Sequence, residues 1–374
     1  MSVIHGYKKS KKILLFVTSL GIGGAERLVC NLADDYVEQG HEVVIAYLEK
    51  RQKTFKLRSK NIKLIHLGLE RNYFSLISVL YRLRSLIKDF EPDIVHSHMY
   101  HPNIIARLVR TLTPVKKTIC TSHSTNEGSK LRMLSYKFTD QFVDVIAAVS
   151  NDVKKVLIER GAAKASKIVT IPNGIDSNQF RFSNKSRMKV RNALKINSEQ
   201  KLIVAAGRLS TPKNYAGLLA SISQLLKRRD DFKLFIAGDG PLRDELLSLR
   251  SKLGLKDYVN FLGVYDDMTA LLSAADIFVL SSLWEGLPLV VAEAMACQRL
   301  VVATDCGGVK EVLGECGILV KSNDNEALTK ALDGALEMPV LDREEFGLKA
   351  RKRIVEHFSL EANSRAYFEL YENN

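Results

Sequence analysis

Two glutamates eight positions apart, Glu285 and Glu293, sit in the segment SSLWEGLPLVVAEAMA at residues 281–296. The run DIFVLSS before and into it reads as a buried β-strand. Pro288 suits the first turn of a following helix, because proline there gives up only an orphan N–H. Glu285 then lies in the loop at the strand's carboxyl end and Glu293 lies more than a turn into the helix. Between them, the amides near Gly286 and Leu287 point out of a helix N-terminus, where a phosphate is favoured. One carboxylate ahead of a phosphate cradle and one behind it can grip hydroxyls on both sides of a diphosphate, which is the shape of a nucleotide-sugar site. The competing reading is a capped helix with two solvated glutamates.

Further candidates stand at other strand ends. Arg208 and Lys213 follow the strand-like KLIVAAGRL, five positions apart, and cations so placed can clamp a departing phosphate. In isolation an Arg there reads as a solvated surface residue. The loop Gly21-Ile22-Gly23-Gly24-Ala25-Glu26 fails as a dinucleotide fingerprint, since Glu26 takes the third glycine's place. What survives is backbone at Gly23 and Gly24 that can approach a ligand at a helix N-terminus. His96 and His98 alternate on the run DIVHSHM, with His101 close behind. Imidazoles often bind metals, but no second ligand cluster or water-activating carboxylate accompanies them, and no Asp-x-Asp pair occurs. The expectation is no metal, with His98 on the acceptor side at a strand's carboxyl end. His123 closes KTICTSH, where a lone histidine is more often structural than catalytic.

The elements that must hold these residues alternate. KILLFVTSL, a glycine loop, the amphipathic AERLVCNLADDYVEQG and HEVVIAYL make a βαβ unit closed by Gly40. KLIHLG, DIVHSHM, KTICTSH, VIAAVS and KIVTIPNG continue as strands, with helices near 74–89, 102–112, 131–141 and 151–160. Near 172–200 the composition turns polar, and alternation restarts with KLIVAAGRL, FKLFIAGDG, VNFLG, DIFVLSS and RLVVATD. Strands alternating with helices imply parallel sheets wrapped on both faces. The expected architecture is α/β, with two Rossmann-like doubly wound domains: residues 1–185, residues 186–355, and a C-terminal helix over 356–374 that crosses back to the first. Ligands of such folds bind at strand carboxyl ends and in domain clefts.

The chain has 374 residues, enough for two cores. No uncharged run exceeds 13 residues, too short to span a bilayer as a helix, and the opening MSVIHGYKKSKK lacks an apolar signal core. A cytoplasmic protein is expected. The five cysteines show no CxxC or Cys/His ligand spacing and read as small buried hydrophobes. Net charge is +13, and residues 1–185 hold 30 Lys/Arg against 16 Asp/Glu while the remainder holds 25 against 26. The basic first half suits an anionic partner such as a lipid headgroup or lipid diphosphate, or serves solubility. Nucleic acid is not expected, for want of any recognisable module.

Several stretches together carry a family resemblance: GGAE in the first loop, His123 after TS, IPNGID at 171–176, GRL with Lys213, GDGPLRDEL at 238–246, FLG at 261–263 and EGLPLVVAEAMACQRLVVATDCGGVKEV at 285–312. In this order, from about residue 12 to about residue 320, the chain resembles the retaining glycosyltransferases of family 4, with the GT-B fold. The resemblance implies that Arg208 and Lys213 neutralise the donor diphosphate, Glu293 accepts bonds from the ribose hydroxyls and Glu285 holds hydroxyls of the transferred sugar. It makes His123 a catalytic residue near the donor sugar and phosphate, alongside Glu285, Arg208 and Lys213, and puts Gly23, Gly24, Gly286 and Leu287 among the donor contacts. Leu262 to Tyr265, Val264 included, would line the base pocket through backbone groups, and Asn173 would shape the loop toward the acceptor side.

The implied reaction moves a hexose or N-acetylhexosamine from a nucleotide-diphosphate sugar, most simply a UDP-sugar, with retention and with no cofactor. The acceptor would be a lipid-linked or otherwise anionic glycan in cell-surface polysaccharide or lipopolysaccharide synthesis. The basic first domain would meet the anionic inner face of the cell membrane, making the protein peripheral. The stretch RNYFSLISVLYRLRSLIK (71–88), with Arg82, Arg84 and Lys88, reads as a packed helix with a charged outer face or as a membrane-docking helix. Two rival functions keep this architecture: a UDP-sugar epimerase or hydrolase, and a non-catalytic nucleotide-sugar-binding module. Glu26 disfavours an NAD-linked oxidoreductase.

Overall fold

The computed structural model describes residues 10–21, 23–51, 57–70, 73–124 and 129–372. They divide into two compact units, one holding the chain up to Asn173 and again from Asn363, the other Gly174–Ala362.

The first unit runs β1 (Lys12–Ser19), α1 (Gly24–Glu38), β2 (Glu42–Glu49), β3 (Lys63–His66), α2 (Tyr73–Phe90), β4 (Ile94–His98), α3 (Tyr100–Arg110), β5 (Lys117–Ser122), α4 (Lys130–Thr139), β6 (Val145–Ala148), α5 (Asn151–Glu159) and β7 (Ile168–Thr170). Its seven strands pair in parallel, in the order β3-β2-β1-β4-β5-β6-β7. Ile13 to Val17 of β1 are wholly buried, as befits a strand covered on both faces. Alternate residues serve opposite cores: Ile13, Leu15 and Val17 pack with Leu28, Leu32 and Tyr36 of α1. Leu14 and Phe16 pack with Val79 and Leu83 of α2 and Val109 of α3.

The second unit continues with α6 (Asn184–Ala193), β8 (Lys201–Ala206), α7 (Tyr215–Leu225), β9 (Phe232–Ala237), α8 (Arg243–Lys252), β10 (Val259–Gly263), α9 (Met268–Ala274), β11 (Ile277–Leu280), α10 (Leu289–Ala296), β12 (Leu300–Asp305), α11 (Val309–Leu313), β13 (Ile318–Lys321), α12 (Asn325–Glu337) and α13 (Val340–His357), and α14 (Leu360–Glu372) begins in it and ends in the first unit. Its parallel sheet has the order β10-β9-β8-β11-β12-β13. One core joins β8, α7 and α12 through Ile203, Leu218, Ile222, Leu328 and Leu332.

Two elements depart from the sequence reading. The polar stretch after residue 172 contains α6, which is pinned by charge more than by apolar packing. Arg187 and Arg191 bond the two oxygens of Asp276 at 2.6 and 2.9 Å. Burial alone would raise the Asp276 carboxyl, but the two guanidiniums and the Leu202 amide outweigh it and hold it below the usual range. The second departure is β13, a short edge strand. The C-terminal residues from Asn363 belong to the first unit: Tyr367, Phe368 and Tyr371 join the α1 core, and Ser364 donates to Asp35.

Each sheet reverses its direction of winding once, between β1 and β4 in the first unit and between β8 and β11 in the second. In doubly wound sheets the carboxyl ends of strands at that reversal form the ligand crevice.

Candidate functional site

In the second unit the reversal point gathers the charged candidates. Lys213 follows β8, Glu285 follows β11, and Lys213 Nζ lies 2.5 Å from Glu285 Oε1. Both side chains are largely buried, at 19% and 13% exposure. Ser282 Oγ donates to the same carboxylate oxygen at 2.6 Å. Ser281 Oγ donates to the Lys213 carbonyl at 2.9 Å, and the Leu283 amide to the Pro212 carbonyl at 2.7 Å. The two strand-end loops are thereby knitted into one platform.

Two glycines let backbone come that close. Gly307 has φ +54°, and a Cβ there would fall 2.0 Å from the Glu285 carbonyl oxygen. Gly238 has φ +140°, and a Cβ would fall 1.9 Å from the Gly207 carbonyl oxygen. Neither position has room for a side chain, and both conformations disfavour one. The carbonyl of Ser282 accepts from Thr304 Oγ1 at 2.6 Å and from Ser322 Oγ at 3.2 Å. These bonds fix the loop from which the Glu285 carboxylate projects.

Arg208 is exposed, and among the described residues its guanidinium makes no ion pair or hydrogen bond. It is a cation held at a strand end with capacity for an anion. Pro288 is the N-cap residue of α10, one place earlier than the sequence suggests, and no side chain caps that helix. Leu287 is buried and Gly286 half-buried. Glu293 is 3% exposed, so the reading of two solvated glutamates fails for both members of the pair. Burial first, and the Glu285 charge second, push the Tyr215 hydroxyl well above its usual range and the Cys306 thiol to about 12. No thiolate therefore stands beside Glu285 near neutral pH. Val264, just past β10, is 47% exposed. A pocket of about 410 Å³ bounded by Asp305, Leu319, Lys321 and Ser322 lies at the ends of β12 and β13, and none of the predicted residues lines it.

The first unit's reversal point is different in kind. Gly23 is the N-cap residue of α1, which begins at Gly24. The Glu26 side chain folds back over this end: a Cβ on Gly23 would meet Glu26 Oε2 at 2.3 Å. Ser19 Oγ donates to Glu26 Oε1 at 3.2 Å. Burial raises the Glu26 carboxyl, with the backbone and Ser19 opposing it. The helix end at Gly23 and Gly24 thus already faces a carboxylate of its own, and is not the open phosphate cradle that the glycines alone suggest.

Beside it stand three imidazoles. The rings of His96 and His98 on β4 lie 4.1 Å apart between centroids, tilted by 35°. His98 Nδ1 and His123 Nε2 share a hydrogen bond of 3.2 Å. His96 is held by the Tyr371 hydroxyl at 2.6 Å and by Thr121 Oγ1 at 2.7 Å, so it is structural. His98 has no exposed surface and does not itself line an acceptor site as predicted. It reaches outward only through His123. The far nitrogens, His98 Nε2 and His123 Nδ1, are buried and unpartnered among the described residues, as is Asn173 Oδ1. Burial lowers all three pKa values. His96 falls to about 3, and His123, which opens onto a pocket, to about 4. That pocket, of about 210 Å³, is bounded by Thr18, Met99, Tyr100, His101, His123 and Arg132. Arg132 lies over the Tyr100 ring at 4.5 Å.

Sequence reasoning missed Ser282, the clasp on Glu285, and Gly307, the space beneath it. Both lie within or beside the motif that singled Glu285 out. It also missed Arg132 and Tyr100, for which no local signal exists. Among the described residues no three His, Cys, Asp or Glu side chains cluster as a metal site.

The family model for glycosyl transferases group 1 matches residues 186–353, and that for glycosyltransferase family 4 matches residues 22–179. The chain is similar to the UDP-Gal:alpha-D-GlcNAc-diphosphoundecaprenol alpha-1,3-galactosyltransferase of Escherichia coli, at 28% identity over 332 residues, 84% of this chain and 82% of that one. It is also similar to the N-acetylgalactosamine-N,N'-diacetylbacillosaminyl-diphospho-undecaprenol 4-alpha-N-acetylgalactosaminyltransferase of Campylobacter jejuni, at 27% over 369 residues, 92% and 94% of the two chains. Among solved structures, the Anabaena protein HepE in complex with UDP-glucose shares the fold, with a TM-score of 0.85 at 19% identity over 96% of this chain and 99% of that one.

Proposed function

This chain belongs to the group 1, family 4 glycosyltransferases of GT-B fold, and from that premise we propose its reaction. It moves a hexose or N-acetylhexosamine from a UDP-linked donor to a saccharide carried on a lipid diphosphate, with retention at the anomeric carbon and without a metal ion. The observation that carries the reading is the buried Lys213–Glu285 pair beside the unpaired Arg208, at the strand ends that flank the sheet's reversal. A cation pair suits the donor diphosphate, and a fixed carboxylate suits the hydroxyls of the sugar beyond it. Glu293, buried about one turn into α10, takes the ribose hydroxyls. The relatives named for diphosphoundecaprenol-linked acceptors support a lipid-linked acceptor here. So does the basic first half, since a lipid diphosphate and the membrane that bears it are both anionic. The enzyme then works peripherally, at the cytoplasmic face of a membrane, toward a cell-surface polysaccharide. No helix among the described residues is long and apolar enough to cross one.

In this reaction the acceptor oxygen bonds to the anomeric carbon on the face from which the donor phosphate oxygen departs. The acceptor proton passes to that departing phosphate. Charge grows on the phosphate as the bond breaks, and Arg208, Lys213 and the uncapped end of α10 are aimed to offset it. Glu285, clasped by Ser282 and Lys213, orients the sugar and need not act as a nucleophile.

The test is thermal stabilisation by UDP, GDP, ADP and their sugar derivatives with EDTA present. A shift confined to the uridine compounds is expected. A shift that requires added Mg²⁺ would refute metal independence, and no shift with any nucleotide would refute the donor site. Donor consumed without any acceptor would indicate an epimerase or hydrolase instead.

A further inference from the structure

Bulky apolar side chains of the first unit stand exposed on one helical layer. Ile77 and Tyr81 of α2 are 60% and 71% exposed, and Leu112, just past α3, is 55% exposed. On α4, Leu131, Leu134 and Phe138 are 77%, 44% and 68% exposed. The α4 trio recurs at i, i+3 and i+7, one stripe along a helix. The connections through α2, α3 and α4 all advance the same way along the strand order, so right-handed crossovers place these helices on one face of the sheet. They are also bonded together. Arg107 of α3 donates to the Tyr136 carbonyl at 3.1 Å and to Thr139 Oγ1 at 3.2 Å, and Arg84 of α2 donates to the Leu112 carbonyl at 3.2 Å.

Charge separates this face from the opposite one. Helices α2, α3 and α4 carry eight Lys/Arg and one Asp/Glu, and α5, whose connection advances the same way, adds two of each. On the other face, α1 and the Asn363–Glu372 part of α14 carry two and six. An apolar stripe set in a strongly basic field is poorly matched to a second copy of itself, because a symmetric pairing would bring the same cations together. It is well matched to an anionic lipid surface, where apolar side chains enter the boundary of headgroups and acyl chains and lysines meet the phosphates.

We propose that the α2–α3–α4 face docks the protein on an anionic bilayer, with Leu131, Leu134 and Phe138 of α4 inserted and Lys88, Lys130 and Lys137 around them on lipid phosphates. This rests on the lipid-linked acceptor of the proposed function and adds the surface that brings the enzyme to it. The pocket onto which His123 opens is walled by the first turns of α3 and α4, at Tyr100, His101 and Arg132. A saccharide on a membrane lipid would therefore meet that pocket from the docked side.

The experiment is sedimentation of the full chain with phosphatidylcholine vesicles, with and without phosphatidylglycerol. Wild type is expected to sediment only when phosphatidylglycerol is present. Lys130→Glu with Lys137→Glu should weaken binding roughly 25-fold or more, since each basic residue near an anionic surface is worth about fivefold. Leu131→Ser with Phe138→Ser should weaken it comparably. Leu341→Ser with Leu348→Ser, at equally exposed positions on α13, should leave it unchanged. The proposal is overturned if both α4 variants sediment like wild type. It is equally overturned if wild type ignores vesicles and forms a dimer that Leu131→Ser with Phe138→Ser dissolves. Thermal shifts with UDP-sugars on the same proteins separate the two readings. Donor binding kept while vesicle binding fails condemns only the docking face, whereas wild type that binds vesicles but no nucleotide condemns only the reaction.

Discussion

The two sheets are wound by the same rule and reverse at corresponding places, yet the loops issuing from those places differ in chemistry. At β8 and β11 the chain keeps a buried ion pair, a serine clasp and an unpaired arginine. At β1 and β4 it keeps neutral imidazoles, one of them hydrogen-bonded to His123 past β5, and a helix end already met by its own Glu26. Winding decides where a crevice lies. What the crevice attracts depends on whether its polar groups are matched within the protein or left with capacity for a ligand. Among the described residues the second unit keeps a cation with capacity for an anion, and the first keeps buried imidazole nitrogens with no hydrogen-bond partner.

The sharpest way to break this contrast is to strip the second unit's charges. Glu285→Ala or Arg208→Ala should lower turnover about a hundredfold or more, as for any lost electrostatic contact to a transition state. Near-normal single-turnover rates in both would erase the distinction. Glu293→Ala should leave turnover closer to normal and raise the donor's KM roughly tenfold, the value of a hydrogen bond to a charged group. A changed kcat with unchanged KM would move Glu293 from binding to chemistry.

Acid tests the first unit separately. Unfolded imidazoles take up protons near 6.5, whereas folded His123 resists to about 4 and His96 to about 3. Below 6.5 the unfolded state therefore binds more protons, and stability should fall as pH drops from there toward about 4. Melting temperatures followed by circular dichroism should show this slope, and His123→Asn should flatten it. An unchanged slope in that variant would mean that His123 is not held neutral by the fold. The smallest expected effect is at His98. Its replacement by Ala removes one hydrogen bond to His123, worth about 1 kcal/mol or about fivefold in turnover. Nitrogen NMR should show His123 losing a single tautomer, and His98→Asn should restore it in part. A fixed tautomer in His98→Ala would leave His98 as packing alone.

Much of the fold was legible because short apolar runs such as KILLFVTS and IFVL, bounded by loops, read as strands covered on both faces. The α6 helix was not, because its anchor is a pair of arginines on Asp276, some 85 residues away, and only Val190 among its residues is buried. The β13 strand escaped because an edge strand of three half-buried residues and an exposed lysine carries little hydrophobic signal. At the site, Glu285, Lys213 and Arg208 were visible through motif and strand ends. Their contacts were not, since Lys213 and Glu285 lie 72 positions apart in the chain. His123 was visible too, but its partner on the neighbouring strand follows from the β4–β5 register, which only the assembled sheet supplies.

The return of the last turns to the first unit has a temporal consequence. Tyr367, Phe368 and Tyr371 fill the core beside α1, and Tyr371 holds His96. A ribosome makes those residues only after the whole second unit, roughly 10–40 s after residue 173 at typical elongation rates. The half of the molecule that is synthesised first is thus the last to be finished. Until then its α1 core stays open and its imidazole cluster unbraced, so a chain stopped just past Ala362 would carry the whole second unit and an unfinished first.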